Sequence, residues 1–120
     1  MTAMPRKLFE IIEAPPAAVL ELDVPTELDP LAIDEMMSTV VAAVEQRAGR
    51  PWVIDLSRVD YLNSSGLGML CNIRNRVRTS KGKLALCGLS PQMIELFRSC
   101  CLEKLFVIAH TRAQAISAVG

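Results

Sequence analysis

The N-terminal part of the chain alternates short apolar runs with turn residues, which predicts a pair of strands. Residues 7–13 and 18–23 are rich in apolar side chains, and Pro15 and Pro16 stand between them. Because proline cannot donate a ladder hydrogen bond, the two prolines mark a turn. The segment therefore predicts two strands in a hairpin-like pair.

Three later apolar runs predict further strands. Residues 52–56 and 84–88 are almost continuously apolar, and 105–108 is a shorter run of the same kind. Continuous runs are typical of parallel strands that helices cover on both faces. The run at 52–56 is expected to be a central strand.

Between these runs, apolar residues at three- and four-residue spacing predict helices. The first helix opens at Asp29-Pro30, a capping residue followed by the proline that a first helical position tolerates, and Gly49 ends it. Its expected buried face is Ile33, Met36, Met37, Val40, Val41 and Val44.

A second helix is expected from about Ser65 to Ser80, with Asn63 or Ser64 as its cap. Its expected inner face is Leu67, Leu70, Cys71 and Val77.

Two more helices are predicted near the C-terminus. One opens at Ser90-Pro91, and a capping box formed by Thr111 and Gln114 opens the other. The expected buried side of the first is Met93, Leu96, Phe97 and Cys100.

The resulting order is two strands followed by alternating helices and strands, ending in a helix. This alternation predicts an α/β fold with a mixed β-sheet of about four to five strands and about four helices. The 120 residues suffice for one domain, which is expected to span 1–120.

Composition and charge exclude several classes of function. Thirteen basic and thirteen acidic side chains cancel, which argues against direct nucleic-acid binding. No apolar run reaches the roughly 18 residues that cross a membrane, and no secretory signal is visible, so a cytoplasmic protein is expected. Residues 1–60 hold eleven acidic and five basic side chains, whereas 61–120 hold two and eight. This imbalance fits either ordinary solvated faces or a surface that docks a protein partner.

The sequence offers little for catalysis, metals or cofactors. Its four cysteines, Cys71, Cys87, Cys100 and Cys101, lack the spacing of a zinc site and lie among apolar residues, so buried thiols are expected. A triad would have to use the single histidine, His110, and no phosphate-binding glycine loop is present. We therefore expect no enzyme, no metal site and no cofactor.

One segment, residues 53–70, has a distinctive arrangement. An apolar strand leads through a short connection to Asn63, Ser64 and Ser65 at a helix start, and Gly66 and Gly68 follow. A capping role explains one of these polar side chains. A reachable hydroxyl here would also place a phosphate at the positive end of a helix dipole.

This segment resembles the signature of the STAS family, specifically that of the anti-sigma factor antagonists. Residues 83–97 and 102–106 resemble the family's following strand, helix and strand. Glu27-Leu28-Asp29 resembles its acidic motif before the first helix. The resemblance extends from about residue 8 to 118.

The resemblance implies a partner-switching function. Such an antagonist binds an anti-sigma factor that is also a serine kinase. The kinase phosphorylates the antagonist, and the two proteins separate. A PP2C-type phosphatase then removes the phosphate and restores the binding form of the antagonist. The motif carries the phosphorylation site onto Ser64 and partner binding onto Asp29, Asn63, Ser65 and Gly66. Asn63 replaces the family's usual Asp.

Two other functions stay open from the sequence. The same fold serves as a small cytoplasmic subunit of bacterial ABC-type lipid transporters. A small enzyme using the serine pair is the other alternative, which the single histidine disfavours.

Overall fold

Five strands form one sheet in the part of the chain that the computed structural model describes, residues 8–27 and 29–120. The strands are β1 (Phe9–Ala14), β2 (Ala17–Leu22), β3 (Trp52–Asp55), β4 (Leu84–Cys87) and β5 (Val107–Ala109). They lie side by side in chain order; β1 is antiparallel to β2, and each later strand is parallel to the one before it. The predicted mixed sheet is confirmed.

In the described residues three α-helices join the parallel strands and a fourth follows β5. They are α1 (Pro30–Gln46), α2 (Ser64–Thr79), α3 (Pro91–Ser99) and α4 (Arg112–Val119), and a 3-10 turn covers Leu102–Lys104. Within the same residues, no helix is long and apolar enough to cross a membrane. The predicted order of helices and strands is confirmed. Two residues of the predicted segments, Lys7 and Leu28, lie outside the described residues.

The helices cover the two faces of the sheet unequally. On one face α1, α2 and α3 pack on alternate strand residues such as Leu20, Ile54 and Leu86, and they form the larger core. On the other face α4 packs alone on small side chains. These are Ala17, Val19, Val53, Ala85 and Cys87. Because small residues line this face, a short helix can lie close to the strands.

Local capping signals fix where the helices begin. The side chain of Asp29 caps α1 and that of Ser90 caps α3. Thr111 and Gln114 form the predicted capping box at the start of α4. These helix starts could therefore be predicted from single residues.

The prediction of four buried cysteines is wrong for two of them. Cys87 is buried and Cys71 half-buried, but Cys100 and Cys101 are exposed. Because α3 ends at Ser99, Cys100 becomes its C-cap, and Cys101 adopts a left-handed conformation. The chain leaves the helix before these side chains can turn toward the core.

The buried faces of the helices also differ from the prediction. In α2 the stripe that faces the sheet includes Met69 and Ile73, whereas Leu67 and Cys71 lie half-buried at its border. In α3 Leu96 is likewise only half-buried.

The last strand begins later than predicted. The N–H of Leu105 bonds to the carbonyl of Leu102 and closes the 3-10 turn, so pairing with β4 starts at Val107.

Gly66 brings α2 close to the connection that precedes it. A Cβ added at Gly66 would lie 2.8 Å from Cδ2 of Leu62, a buried side chain. A Cβ added at Gly68, two residues later, would meet nothing within 4 Å. Alanine at Gly68 therefore tests helix propensity alone, whereas alanine at Gly66 also tests the packing against Leu62.

A buried carboxylate attaches α4 to the sheet. Asp55, at the end of β3, is 6% exposed, and its Oδ2 accepts hydrogen bonds from Nε and Nη2 of Arg112 (2.9 and 2.7 Å). Its Oδ1 accepts bonds from the backbone N–H and hydroxyl of Ser57 (2.9 and 2.6 Å). Burial alone would raise the pKa of Asp55, but the bonds from Ser57 and Arg112 hold it below its ordinary value.

We predict opposite effects of alanine at the two glycines. Gly68→Ala should raise the free energy of unfolding by about 0.5–1 kcal/mol, because alanine favours the helix. Gly66→Ala should lower it by about 1–3 kcal/mol, because the added methyl group must displace Leu62. Urea denaturation of both variants measures this, and equal stabilisation by both would contradict the close packing at Gly66.

We also predict that the protein loses stability in acid because Asp55 becomes protonated. Because its pKa is lower in the folded protein than in the unfolded chain, the stabilisation is present above the ordinary value of 3.8 and is lost as the pH falls through the folded pKa. Asp55→Asn should be less stable than wild type at pH 7 and lose less stability on acidification. Denaturation from about pH 6 to pH 3 tests this, and parallel curves for the two proteins would contradict it.

Candidate functional site

The parallel strands bring the helix starts to one edge of the sheet. Chain segments leave β2, β3, β4 and β5 at the carboxyl ends of these strands, and parallel strands place those ends together. The N-termini of α1 and α2, which pack side by side, therefore both lie at this carboxyl edge. Asp29 and Ser64, 35 positions apart in the sequence, reach the same edge in this way.

Asn63, rather than Ser64, caps α2. Its Oδ1 accepts the N–H of Gly66 at 3.0 Å, and its carbonyl accepts the N–H of Leu67 at 3.0 Å. Ser64 and Ser65 are then the first two residues of the helix, and both are exposed. Among the residues that the structure describes, none forms a hydrogen bond with the Ser64 hydroxyl. The Ser64 hydroxyl therefore does not cap α2.

Asp29 is exposed at the start of α1. Its Oδ1 accepts the N–H of Leu31 at 3.0 Å, so the carboxylate caps its own helix. Glu27 is also exposed, whereas Leu28 of the same motif lies outside the described residues. In the described part of the chain, no group of three acidic, histidine or cysteine side chains is arranged to hold a metal ion.

Two large apolar side chains are exposed close in sequence to these helix starts. Leu31, in the first turn of α1, is 64% exposed, and Tyr61, two residues before the α2 cap, is 39% exposed. Neither side chain is among the site residues predicted from the sequence. The available signals were that Leu31 lies off the predicted apolar stripe and that Tyr61 is the one tyrosine in the chain.

Hydrogen bonds from neighbouring elements fix the connection between β3 and α2. The hydroxyl of Ser90, at the start of α3, donates a hydrogen bond to the carbonyl of Asp60 (3.0 Å). At its beginning, Ser57 bonds to Asp55 and lies against Gly88, where an added Cβ would meet the Ser57 nitrogen at 2.8 Å. These contacts fix the path of the chain that leads to Ser64.

The one buried thiol at this edge is chemically unreactive. Burial and the neighbouring Asp55 carboxylate raise the pKa of Cys87 to about 12. The thiol therefore stays protonated at neutral pH and is a poor nucleophile.

The family comparison agrees with the motif at the start of α2. The STAS domain family matches residues 10–115. A protein of Bordetella bronchiseptica named as a candidate anti-sigma factor antagonist, BtrV, is 32% identical over 84 residues, which are 70% of this chain and 72% of that protein.

Solved structures share the fold. A STAS domain protein of Planctomyces limnophilus, named as an anti-sigma-factor antagonist, is 23% identical, with 92% of this chain and 97% of that chain covered and a TM-score of 0.80. The Bacillus protein SpoIIAA in its phosphorylated form is 23% identical, with 93% and 99% covered and a TM-score of 0.68.

The family match begins in β1 and ends in α4, so it takes in the whole sheet and the start of α2 that carries the motif. The resemblance that residues 53–70 predict is thereby confirmed, and the chain belongs to the STAS domain family.

Proposed function

We propose that this chain is an anti-sigma factor antagonist that works by partner switching in the cytoplasm. While Ser64 carries no phosphate, the chain binds an anti-sigma factor that is also a serine kinase. The kinase transfers a phosphate from ATP to the Ser64 hydroxyl, the complex separates, and a PP2C-type phosphatase reverses the modification. The chain itself is a regulator in this scheme and catalyses none of these steps.

The observation that carries the proposal is the exposed Ser64 hydroxyl at the first position of α2. Because Asn63 provides the cap, modification of Ser64 breaks no hydrogen bond on which the helix depends. The relatives named as anti-sigma factor antagonists support the same role.

The fold can accept a phosphate at this position. Phosphorylation adds about −1.5 to −2 charges at pH 7. The N-terminus of a helix carries partial positive charge and free N–H groups, which stabilise an anion placed there. We therefore expect the switch to act on the partner rather than on the folding of this domain.

The exposed apolar side chains explain how a phosphate could release a partner. Leu31 and Tyr61 suit a partner surface that is apolar where it covers the carboxyl edge. A phosphate on Ser64 would then have to lose water on binding, and the Asp29 carboxylate at the same edge adds like charge. A penalty of a few kcal/mol is enough, since about 1.4 kcal/mol is a tenfold loss of affinity.

We predict that the cognate kinase, with ATP, adds one phosphate to this chain, at Ser64. Ser64→Ala should bind the kinase but resist release, and Ser64→Asp should bind at least about tenfold more weakly with a melting temperature close to wild type. The matched control is Ser65→Ala, the neighbouring exposed serine, which should still be phosphorylated and released.

The kinase is obtained by capture from a lysate of the source organism with the immobilised chain, identification by mass spectrometry and purification. Phosphate mapped to Ser57, Ser65 or Ser80 with Ser64 unmodified would refute the site. Capture of a permease and an ATPase, with no kinase, would favour the alternative function as a transporter subunit.

We further predict that Asn63→Asp changes the rate of Ser64 phosphorylation without disturbing the fold. Asn and Asp cap helices equally well, so the melting temperature should move little. A unit charge about 4 Å away is worth about 1 kcal/mol in bulk water, which is roughly a fivefold change in rate. Steady-state phosphorylation beside melting curves measures both effects. Equal rates would mean that the amide and the carboxylate are interchangeable here.

A further inference from the structure

Arg112 joins two carboxylates that lie side by side at the carboxyl edge. Glu21 of β2 and Asp55 of β3 are register partners, and their side chains share the face of the sheet that α4 covers. The Arg112 Nη2 bonds to Oε2 of Glu21 at 2.6 Å and to Oδ2 of Asp55 at 2.7 Å. The planar fork of arginine suits this double contact, and the point charge of lysine does not.

The same carboxylate that holds Arg112 also holds the start of the chain leading to Ser64. Oδ2 of Asp55 is used by Arg112, and Oδ1 is used by the N–H and hydroxyl of Ser57. The orientation of the Asp55 carboxyl group is therefore set from both sides. If Arg112 is removed, Asp55 can rotate toward water, and Ser57 loses a fixed acceptor.

The path from Ser57 to α2 is short. Val59 and Leu62 bury it in the core, but few side-chain hydrogen bonds join it to other elements. The Ser90 hydroxyl holds the carbonyl of Asp60, and Asn63 caps the helix three residues further on. Loss of the Ser57 anchor would leave two polar side-chain contacts from this connection to other elements in the described part of the chain. These are the Ser90–Asp60 hydrogen bond and the exposed ion pair of Arg58 with Glu21 (3.4 Å).

We propose that Arg112 is a positioning residue for the N-terminus of α2. It acts through Asp55 and Ser57 on the connection at 56–63 and so sets where Ser64 is presented. The link to phosphorylation rests on the proposed function, in which a kinase modifies the Ser64 hydroxyl. The mechanical coupling between Arg112 and α2 does not depend on any partner.

Amide hydrogen exchange tests the coupling without a partner. Arg112→Met keeps an unbranched stem but removes the charged guanidinium fork. The amides of Ser57, Val59 and Gly66 should then exchange about tenfold faster or more. Arg112→Lys should restore part of the protection because it keeps the charge. Core amides of α1, such as those of Val40 and Val44, should exchange as in wild type.

Two matched controls separate positioning from general stability. Glu21→Gln weakens the contacts of Glu21 with Arg112 and with the exposed Arg58 but leaves the bonds between Arg112 and Asp55 in place, so exchange at 56–66 should change much less than in Arg112→Met. Arg98→Met removes an exposed arginine whose one ion pair within residues 8–27 and 29–120 is with Glu95 on the same helix, and it should have no effect on exchange at 56–66. Unchanged exchange at 56–66 in Arg112→Met, or uniformly faster exchange that includes α1, would overturn the proposal. If Arg112→Met fails to fold, wild-type protection at 56–66 in Arg112→Lys would overturn it.

Phosphorylation kinetics supply the functional arm. With the cognate kinase, Arg112→Met should raise the KM for the chain and lower kcat/KM about tenfold, and Arg112→Lys should recover part of it. Unchanged kinetics with altered exchange would overturn the link to Ser64 but not the mechanical coupling. Absence of any Ser64 phosphorylation in the wild type would count against the proposed function alone.

Discussion

Parallel pairing of β2, β3, β4 and β5 is the constraint on which the rest of this molecule depends. Because each of these strands points the same way, every helix that follows one must start at the same edge of the sheet. Asp29, Asn63 and Ser90 are separate capping signals in the sequence, yet the topology gathers them on one surface. The candidate site is thus a consequence of strand direction, and α2 needs no unusual backbone to present Ser64.

At the start of α2, the residues that stabilise the helix differ from the residue that the proposed switch modifies. Asn63 supplies the cap, and Gly66 lets the helix lie against Leu62. Ser64, between them, takes part in neither contact and is exposed. A residue that contributes little to folding can gain or lose a phosphate at little cost to stability, which is the property a reversible switch requires. In the proposed switch, the free energy that separates the two proteins therefore comes from the interface with the partner.

Local signals made much of the fold predictable from the sequence. Apolar runs, prolines and capping residues each act within a few positions, and they located the strands and the starts of the helices. Contacts between distant residues could not be predicted in this way. Arg112 and Asp55 lie 57 positions apart, and only the register of the strands and the docking of α4 bring them together. The exposure of Cys101 likewise depends on where α3 ends and that of Tyr61 on where α2 begins, and such boundaries are uncertain by one or two residues.

The proposed switch requires that a phosphate on Ser64 act locally. This is tested by comparing the backbone amide NMR spectra of the unmodified chain and of the chain phosphorylated at Ser64. We expect shifts confined to the carboxyl edge, at residues 56–68 and the first turn of α1, with the amides of β1 and of the C-terminal half of α1 unchanged. Shifts spread through the sheet and α4 would contradict it, because they would mean that the phosphate rearranges the domain.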